Sequence, residues 1–208
     1  MGGEELEAMR RRDDVQDEDT RPWAPPRVGV LVERRDAWEI VVHGARGGML
    51  AGVALGLTEI VASTLLRNEP GFPFRFAVAI AVGPEALAPT FPLAASVVLG
   101  LVIHFSLSVV FGVAFLAGLA LAFQLSARWW LMVLYGVVFA GVVWEVCFLA
   151  IVPLVAPALA GQLDLTTQLW NGLASYCLVY GPVLAFYVVR ARPGVVDRWW
   201  RVDGEEAG

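Results

Sequence analysis

The sequence predicts an all-α, polytopic membrane protein: four transmembrane helices, an N-terminal interfacial helix and a short half-helix that is re-entrant or interfacial on the outer side. Two observations predict this fold class. Of the 208 residues, 58% are hydrophobic and only 17% are charged, and the mean hydropathy is +0.65, which does not fit a soluble domain. In addition, several apolar runs reach the roughly 20 residues that cross about 30 Å of hydrocarbon.

Four apolar segments are long enough to be spans, namely 48–66, 94–123, 129–151 and 169–189. The second is longer than a perpendicular helix requires, so we expect it to tilt or to begin in the interface. Between the first two spans, residues 76–82 are apolar but too few to cross, and Gly83-Pro84 stops them. This pattern predicts the half-helix on the outer side.

The ends of the chain differ from the apolar centre in composition. Residues 1–27 mix acidic and basic side chains without an apolar stretch, which predicts a flexible charged tail and no secretory signal. Residues 28–46 mix apolar and charged side chains, as an amphipathic segment along the interface does. The transmembrane domain is then expected over 47–190, followed by a C-terminal tail over 191–208.

The arginines predict the orientation, because basic residues are concentrated on the cytoplasmic side of membrane proteins. With the N-terminus inside, only Arg67 and Arg75 lie outside, and thirteen of the 15 basic residues lie inside. Both termini are therefore predicted to be cytoplasmic.

Small residues recur every fourth position in the first two spans, which places them on one face of each helix. In such spans this pattern favours close helix packing, either within the bundle or in an oligomer or larger complex. The glycines concerned are Gly44, Gly48, Gly52 and Gly56 in the first span and Gly100 and Gly112 in the second.

Three ionisable residues lie within the spans, where a charge costs at least a few kcal/mol unless it is paired, hydrated or neutralised. Glu59 lies about 3 Å beyond the midpoint of its span, and His104 and Glu145 lie about 7 Å beyond theirs, all toward the outer side. Tyr176 falls in the same layer, and Glu85 follows the half-helix. These positions predict a polar cluster in the outer half of the bundle.

Three interpretations of this cluster stay open. It is a structural hydrogen-bond or ion-pair network, a proton- or cation-binding site, or, through His104, an axial contact to a haem or chlorophyll-type pigment. A metal identity does not follow, because no H-x-x-x-H or E-x-x-H spacing is present. No nucleophile elbow or phosphate-binding glycine loop is present either, so we expect no enzymatic activity. The net charge of -5 at pH 7 leads us to expect no nucleic-acid partner.

One segment carries a family resemblance. Residues 54–67, with the sequence ALGLTEIVASTLLR, resemble the first span of small multidrug resistance transporters. In that family a membrane-embedded glutamate binds protons and cationic drugs in exchange, and the resemblance implies this role for Glu59 alone.

The whole chain loosely resembles bacterial four-span inner-membrane proteins. The features that carry this resemblance are the glycine-rich first span, the sequence GPEAL at 83–87 and His104 midway along the second span. It implies a bacterial inner (cytoplasmic) membrane and contact with the lipid bilayer and with protein partners. We therefore expect a non-catalytic accessory subunit of a respiratory or photosynthetic type of complex. The alternative is a small proton-coupled transporter or cation-binding membrane protein.

Overall fold

A computed structural model describes residues 34–122, 129–160 and 165–191, and within these ranges all regular structure is helical. It contains four helices that are long and apolar enough to cross a membrane, Ala37–Arg67, Leu93–Ala120, Trp129–Val155 and Trp170–Ala191. The chain is a multi-pass membrane protein, and the predicted fold class is confirmed. The predicted tail at 1–27 lies outside the described residues, as does the predicted C-terminal tail at 191–208 except for its first residue.

Helix α1, Arg34–Arg67, is longer than a membrane crossing requires. At about 1.5 Å per residue it measures about 51 Å, against about 30 Å of hydrocarbon. Residues 34–46, the described part of the predicted interfacial segment, form its first turns and continue into the first span without a break. The helix contains no proline, so no backbone N–H is missing that would interrupt it.

The half-helix α2, Phe72–Val82, begins four residues before the apolar run that predicts it. Pro73 lies in its first turn, where a missing N–H costs no hydrogen bond. Arg75 interrupts the apolar run in the sequence but donates a 3.2 Å hydrogen bond to the carbonyl of Ala88 in the structure. The helix ends at Gly83, whose φ of 113° suits glycine because it has no Cβ. A 3₁₀ turn, Pro84–Leu87, follows.

The second span is helix α3, Leu93–Ala122. The third comprises α4, Trp129–Glu145, a π-helical turn, Val146–Ile151, and α5, Val152–Val155. A short helix α6, Pro157–Ala160, comes next. The fourth span consists of α7, Leu165–Ser175, a π-helical turn, Tyr176–Tyr180, and α8, Gly181–Ala191.

Each π-helical turn lies two residues before a proline, Pro153 in the third span and Pro182 in the fourth. A proline inside a helix has no N–H to donate to the carbonyl one turn back, and its ring crowds that carbonyl. Widened turns of this kind are a common way to accommodate the mismatch. The half of the bundle that contains Glu59 and Tyr176 therefore has a less regular backbone than the other half.

The first two spans pack closely along their glycines. A Cβ added to Gly48 would collide with the carbonyl oxygen of Ser108, and one added to Gly112 would collide with that of Gly44. The same relation joins Gly136 of the third span to the carbonyl of Gly181 in the fourth. The small residues thus bring backbones into contact within one copy of the chain.

Two apolar clusters fill the bundle. The larger lies among the four spans and includes the fully buried side chains of Leu55, Phe115, Leu119 and Leu184. The smaller joins the half-helix to the third span and the short helix after it, through Val78, Ala79, Val152, Ala156 and Leu159. Because the second cluster holds the half-helix against the spans, its aromatic residues take fixed positions beside Glu59.

Candidate functional site

Glu59 is the central residue of the candidate site. It lies in the half of the first span that ends at Arg67, and its side chain lines two cavities of about 90 and about 140 Å³. Among the residues that the structure describes, none forms a hydrogen bond or an ion pair with its carboxyl group. Each cavity is large enough for several water molecules or for a small ligand.

The smaller cavity, which we call the aromatic cavity, lies between the first span, the half-helix and the last two spans. Arg67, which is exposed, lies at one end of it, and its guanidinium carbon lies 4.2 Å from the centre of the Phe72 ring. The rest of the wall is mainly apolar, with two polar side chains besides Glu59 and Arg67. The polar side chains are Ser63 and Asn171, and three aromatic rings, Phe72, Phe76 and Phe148, also line the wall.

A row of stacked rings forms one wall of the aromatic cavity. The ring centres of Phe72 and Phe76 are 5.9 Å apart, and those of Phe76 and Phe148 are also 5.9 Å apart, with planes only 8° from parallel. Trp144, which does not itself line the cavity, continues the row at 5.2 Å from Phe148. The faces of such rings carry negative electrostatic potential, which attracts cations.

The larger cavity, which we call the histidine cavity, lies on the other side of Glu59, between the first two spans and the half-helix. His104 and Gly56 both line it, and a Cβ on Gly56 would lie 3.4 Å from Nε2 of His104. This glycine therefore leaves space in the cavity, unlike Gly48 and Gly112, which contact backbone. Gly100 allows the half-helix to approach, because a Cβ there would lie 2.8 Å from the backbone of Phe74.

His104 is tied to the neighbouring helix. Its Nε2 lies 2.8 Å from the carbonyl oxygen of Gly52. Since a carbonyl only accepts hydrogen bonds, Nε2 is the donor and carries the proton in this arrangement. A protonated nitrogen has no lone pair for a metal, so a haem or a chlorophyll-type pigment does not fit on Nε2 here.

Tyr176 lies near Glu59, in the layer that the sequence predicts for both. Its ring centre is 5.8 Å from that of Tyr180, whose hydroxyl group donates a 2.9 Å hydrogen bond to the carbonyl of Ser108. The structure thus brings Glu59, His104 and Tyr176 together in one region.

The structure does not bring Glu145 and Glu85 to this region. The inward face of the third span consists of buried residues four positions apart, Met132, Gly136, Ala140 and Trp144. Glu145 follows Trp144, so a further 100° of helical rotation turns it to the exposed surface. Glu85 is exposed in the 3₁₀ turn and its carboxyl group folds back over Gly83.

The sequence interpretation missed the aromatic row. Its signal is present in the sequence, because Phe72 and Phe76, like Trp144 and Phe148, are four residues apart and so share a helix face. That the two pairs meet depends on how the half-helix packs on the third span.

The described residues contain no group of three or more His, Cys, Asp or Glu side chains placed to hold a metal ion. The site therefore offers one carboxyl group without a partner among the described residues, a row of stacked aromatic rings and a few polar side chains. No protein-family model, no curated protein and no solved structure matches this chain significantly.

Proposed function

We propose that this protein binds an organic cation at Glu59 and releases a proton from the same carboxyl group, as a small proton-coupled membrane transporter does. The observation that carries the proposal is a carboxyl group within a span, open to two cavities and without a partner among the described residues.

The free-energy cost of a charge within the membrane supports a site that binds and releases a proton or a cation. A carboxylate in a span costs at least a few kcal/mol unless it is paired, hydrated or neutralised. Glu59 has no fixed partner within the described residues, so we infer that a proton or a cation that enters a cavity balances its charge. A purely structural glutamate would be expected to hold a permanent hydrogen bond or ion pair.

The walls favour an organic cation over a metal ion. Ca²⁺ requires six to eight oxygen ligands and Mg²⁺ about six. The aromatic cavity offers fewer side-chain oxygens than that, from Glu59, Ser63 and Asn171. Three aromatic rings, Phe72, Phe76 and Phe148, also line it. Aromatic rings beside a carboxylate suit an organic ammonium group, because the rings contact its apolar groups while the carboxylate pairs with its charge. The resemblance of residues 54–67 to the small multidrug resistance transporters is consistent with this choice.

The proposed setting is a bacterial inner membrane with both termini cytoplasmic, as the arginine distribution predicts. In that orientation Arg67 lies at the outer end of the first span and the aromatic cavity lies in the outer half of the bundle. A cation from outside would then reach Glu59 past Phe72 and Arg67.

The proposal is tested by titrating the purified protein in lipid nanodiscs with benzyltrimethylammonium and measuring binding by calorimetry. Glu59→Gln removes the charge while keeping the shape, and is expected to abolish binding. Glu85→Gln is the matched control, because Glu85 is exposed and lines neither cavity. Equal binding by wild type and Glu59→Gln, or no binding by wild type, would refute the proposal.

The other function expected from the sequence, a non-catalytic subunit of a larger complex, stays a prediction. Isolation of the native protein in a mild detergent distinguishes the two functions. A stoichiometric assembly of several different chains is expected only for a subunit.

A further inference from the structure

Glu145 lies on a surface of the third span that is otherwise apolar. Its neighbours on that surface, one and two turns away, are exposed hydrophobic residues. They are Val138 (55% exposed), Val142 (51%) and Leu149 (56%). Glu145 is itself exposed, so in a single copy of the chain its carboxyl group faces the lipid.

Neither the depth nor the direction of Glu145 allows it to reach water easily. The third span runs from Trp129 to Val155, and Glu145 lies three residues, about 4.5 Å, beyond its midpoint. In an α-helix the Cα–Cβ bond tilts toward the N-terminus of the helix. The side chain therefore points back toward the middle of the membrane and away from the nearer surface.

No side chain that the structure describes satisfies this carboxyl group. The ionisable group near it is the thiol of Cys177 in the fourth span, which is a weak hydrogen-bond donor. A carboxyl group left facing hydrocarbon costs several kcal/mol even when it is neutral and its hydrogen-bonding capacity is unused. The surface around Glu145 must therefore be covered by something that offers both a donor and an acceptor.

We propose that a second copy of this chain covers this surface, and that the two Glu145 carboxyl groups form hydrogen bonds to each other across a two-fold axis. A protonated carboxyl group is both donor and acceptor, so two of them satisfy each other. Two copies inserted in the same direction have Glu145 at the same depth in the membrane. In a two-fold symmetric interface, a residue close to the axis lies opposite the same residue of the other copy. A different partner would need its own donor at this depth.

Oxidative cross-linking in native membranes tests which surface meets the second copy. The chain first has both cysteines replaced, by Cys147→Ala and Cys177→Ala. Val142→Cys then places a thiol one turn from Glu145, and Val102→Cys places one on the second span, where the residue is 60% exposed. A disulfide-linked dimer is expected for Val142→Cys and not for Val102→Cys. Equal cross-linking at both positions, or none at Val142→Cys, would overturn the proposal.

The chemistry of the contact is tested by two substitutions at Glu145. Glutamine keeps a donor and an acceptor, so Glu145→Gln is expected to dimerise nearly as well as wild type. Leucine suits a lipid-exposed position and should not impair folding, but Glu145→Leu is expected to weaken dimerisation about tenfold in single-molecule photobleaching in liposomes. Unchanged dimerisation of Glu145→Leu, or a cross-linked species containing a different protein, would contradict the proposal.

Discussion

The Nε2 atom of His104 lies 2.8 Å from the carbonyl oxygen of Gly52, and this hydrogen bond joins the first two spans beside Glu59. Gly52 permits the approach, because a Cβ there would lie 2.5 Å from Oγ of Ser108 and 3.6 Å from Nε2 of His104. The histidine is thus engaged with backbone, although it lines the same cavity as Glu59. We infer that His104 mainly positions the two helices and that Glu59 carries the exchangeable charge.

Replacing His104 tests this division of roles. His104→Leu removes the hydrogen bond to Gly52 and is expected to lower the free energy of unfolding by about 1 kcal/mol, as for other interhelical hydrogen bonds in membranes. His104→Gln keeps a side-chain N–H and is expected to recover part of this loss. Unfolding in mixed detergent micelles measures both. Equal stability of wild type and His104→Leu would show that the bond contributes nothing.

The glycines of the first span are predicted to differ in their tolerance of alanine. A Cβ on Gly48 would collide with the carbonyl oxygen of Ser108, whereas one on Gly56 would lie 3.4 Å from a side-chain nitrogen. Gly48→Ala is therefore expected to destabilise the protein by about 1–3 kcal/mol, the usual cost of overpacking. Gly56→Ala should cost less. The two melting temperatures check this, and a larger loss for Gly56→Ala would contradict the packing described.

The aromatic row is predicted to contribute to cation binding. Phe76 stacks on both Phe72 and Phe148, so Phe76→Ala interrupts the wall beside Glu59. We expect the affinity for benzyltrimethylammonium to fall about tenfold, within the usual range of cation–π interactions. Phe186→Ala is the control, because that ring is 67% exposed on the fourth span and lines neither cavity. An equal effect of both substitutions would argue against a role for the aromatic row in cation binding.

Much of the fold follows from the sequence because hydrophobic length alone determines which segments cross a membrane. The start of the half-helix was less predictable. Arg75 made the run appear to begin at Phe76, but its charge is accommodated by the Ala88 carbonyl and by Glu69, whose carboxylate lies 3.7 Å away. Such partners come from a loop and a turn whose positions depend on tertiary packing.

The candidate site was only partly predictable, because depth in a span can be estimated from the sequence whereas rotation about the helix axis is harder to assign. Glu59 and Glu145 are both predicted to lie in the outer half of the bundle, yet one lines two cavities and the other is exposed. The third span is apolar on nearly all sides, so its sequence pattern gave little indication of which face turns inward. Gly136 and Ala140 lie on the inward face of this span, and only their contacts in the structure show this.

Proton release on cation binding tests the central claim most directly. Benzyltrimethylammonium is added to the protein in weakly buffered nanodiscs, and the pH change is followed with a soluble dye at several starting pH values. The account predicts that wild type releases protons as the cation binds wherever Glu59 is initially protonated, that affinity weakens as the pH falls, and that Glu59→Gln releases none. Cation binding without proton release at any pH, or the same release from Glu59→Gln, would contradict the account.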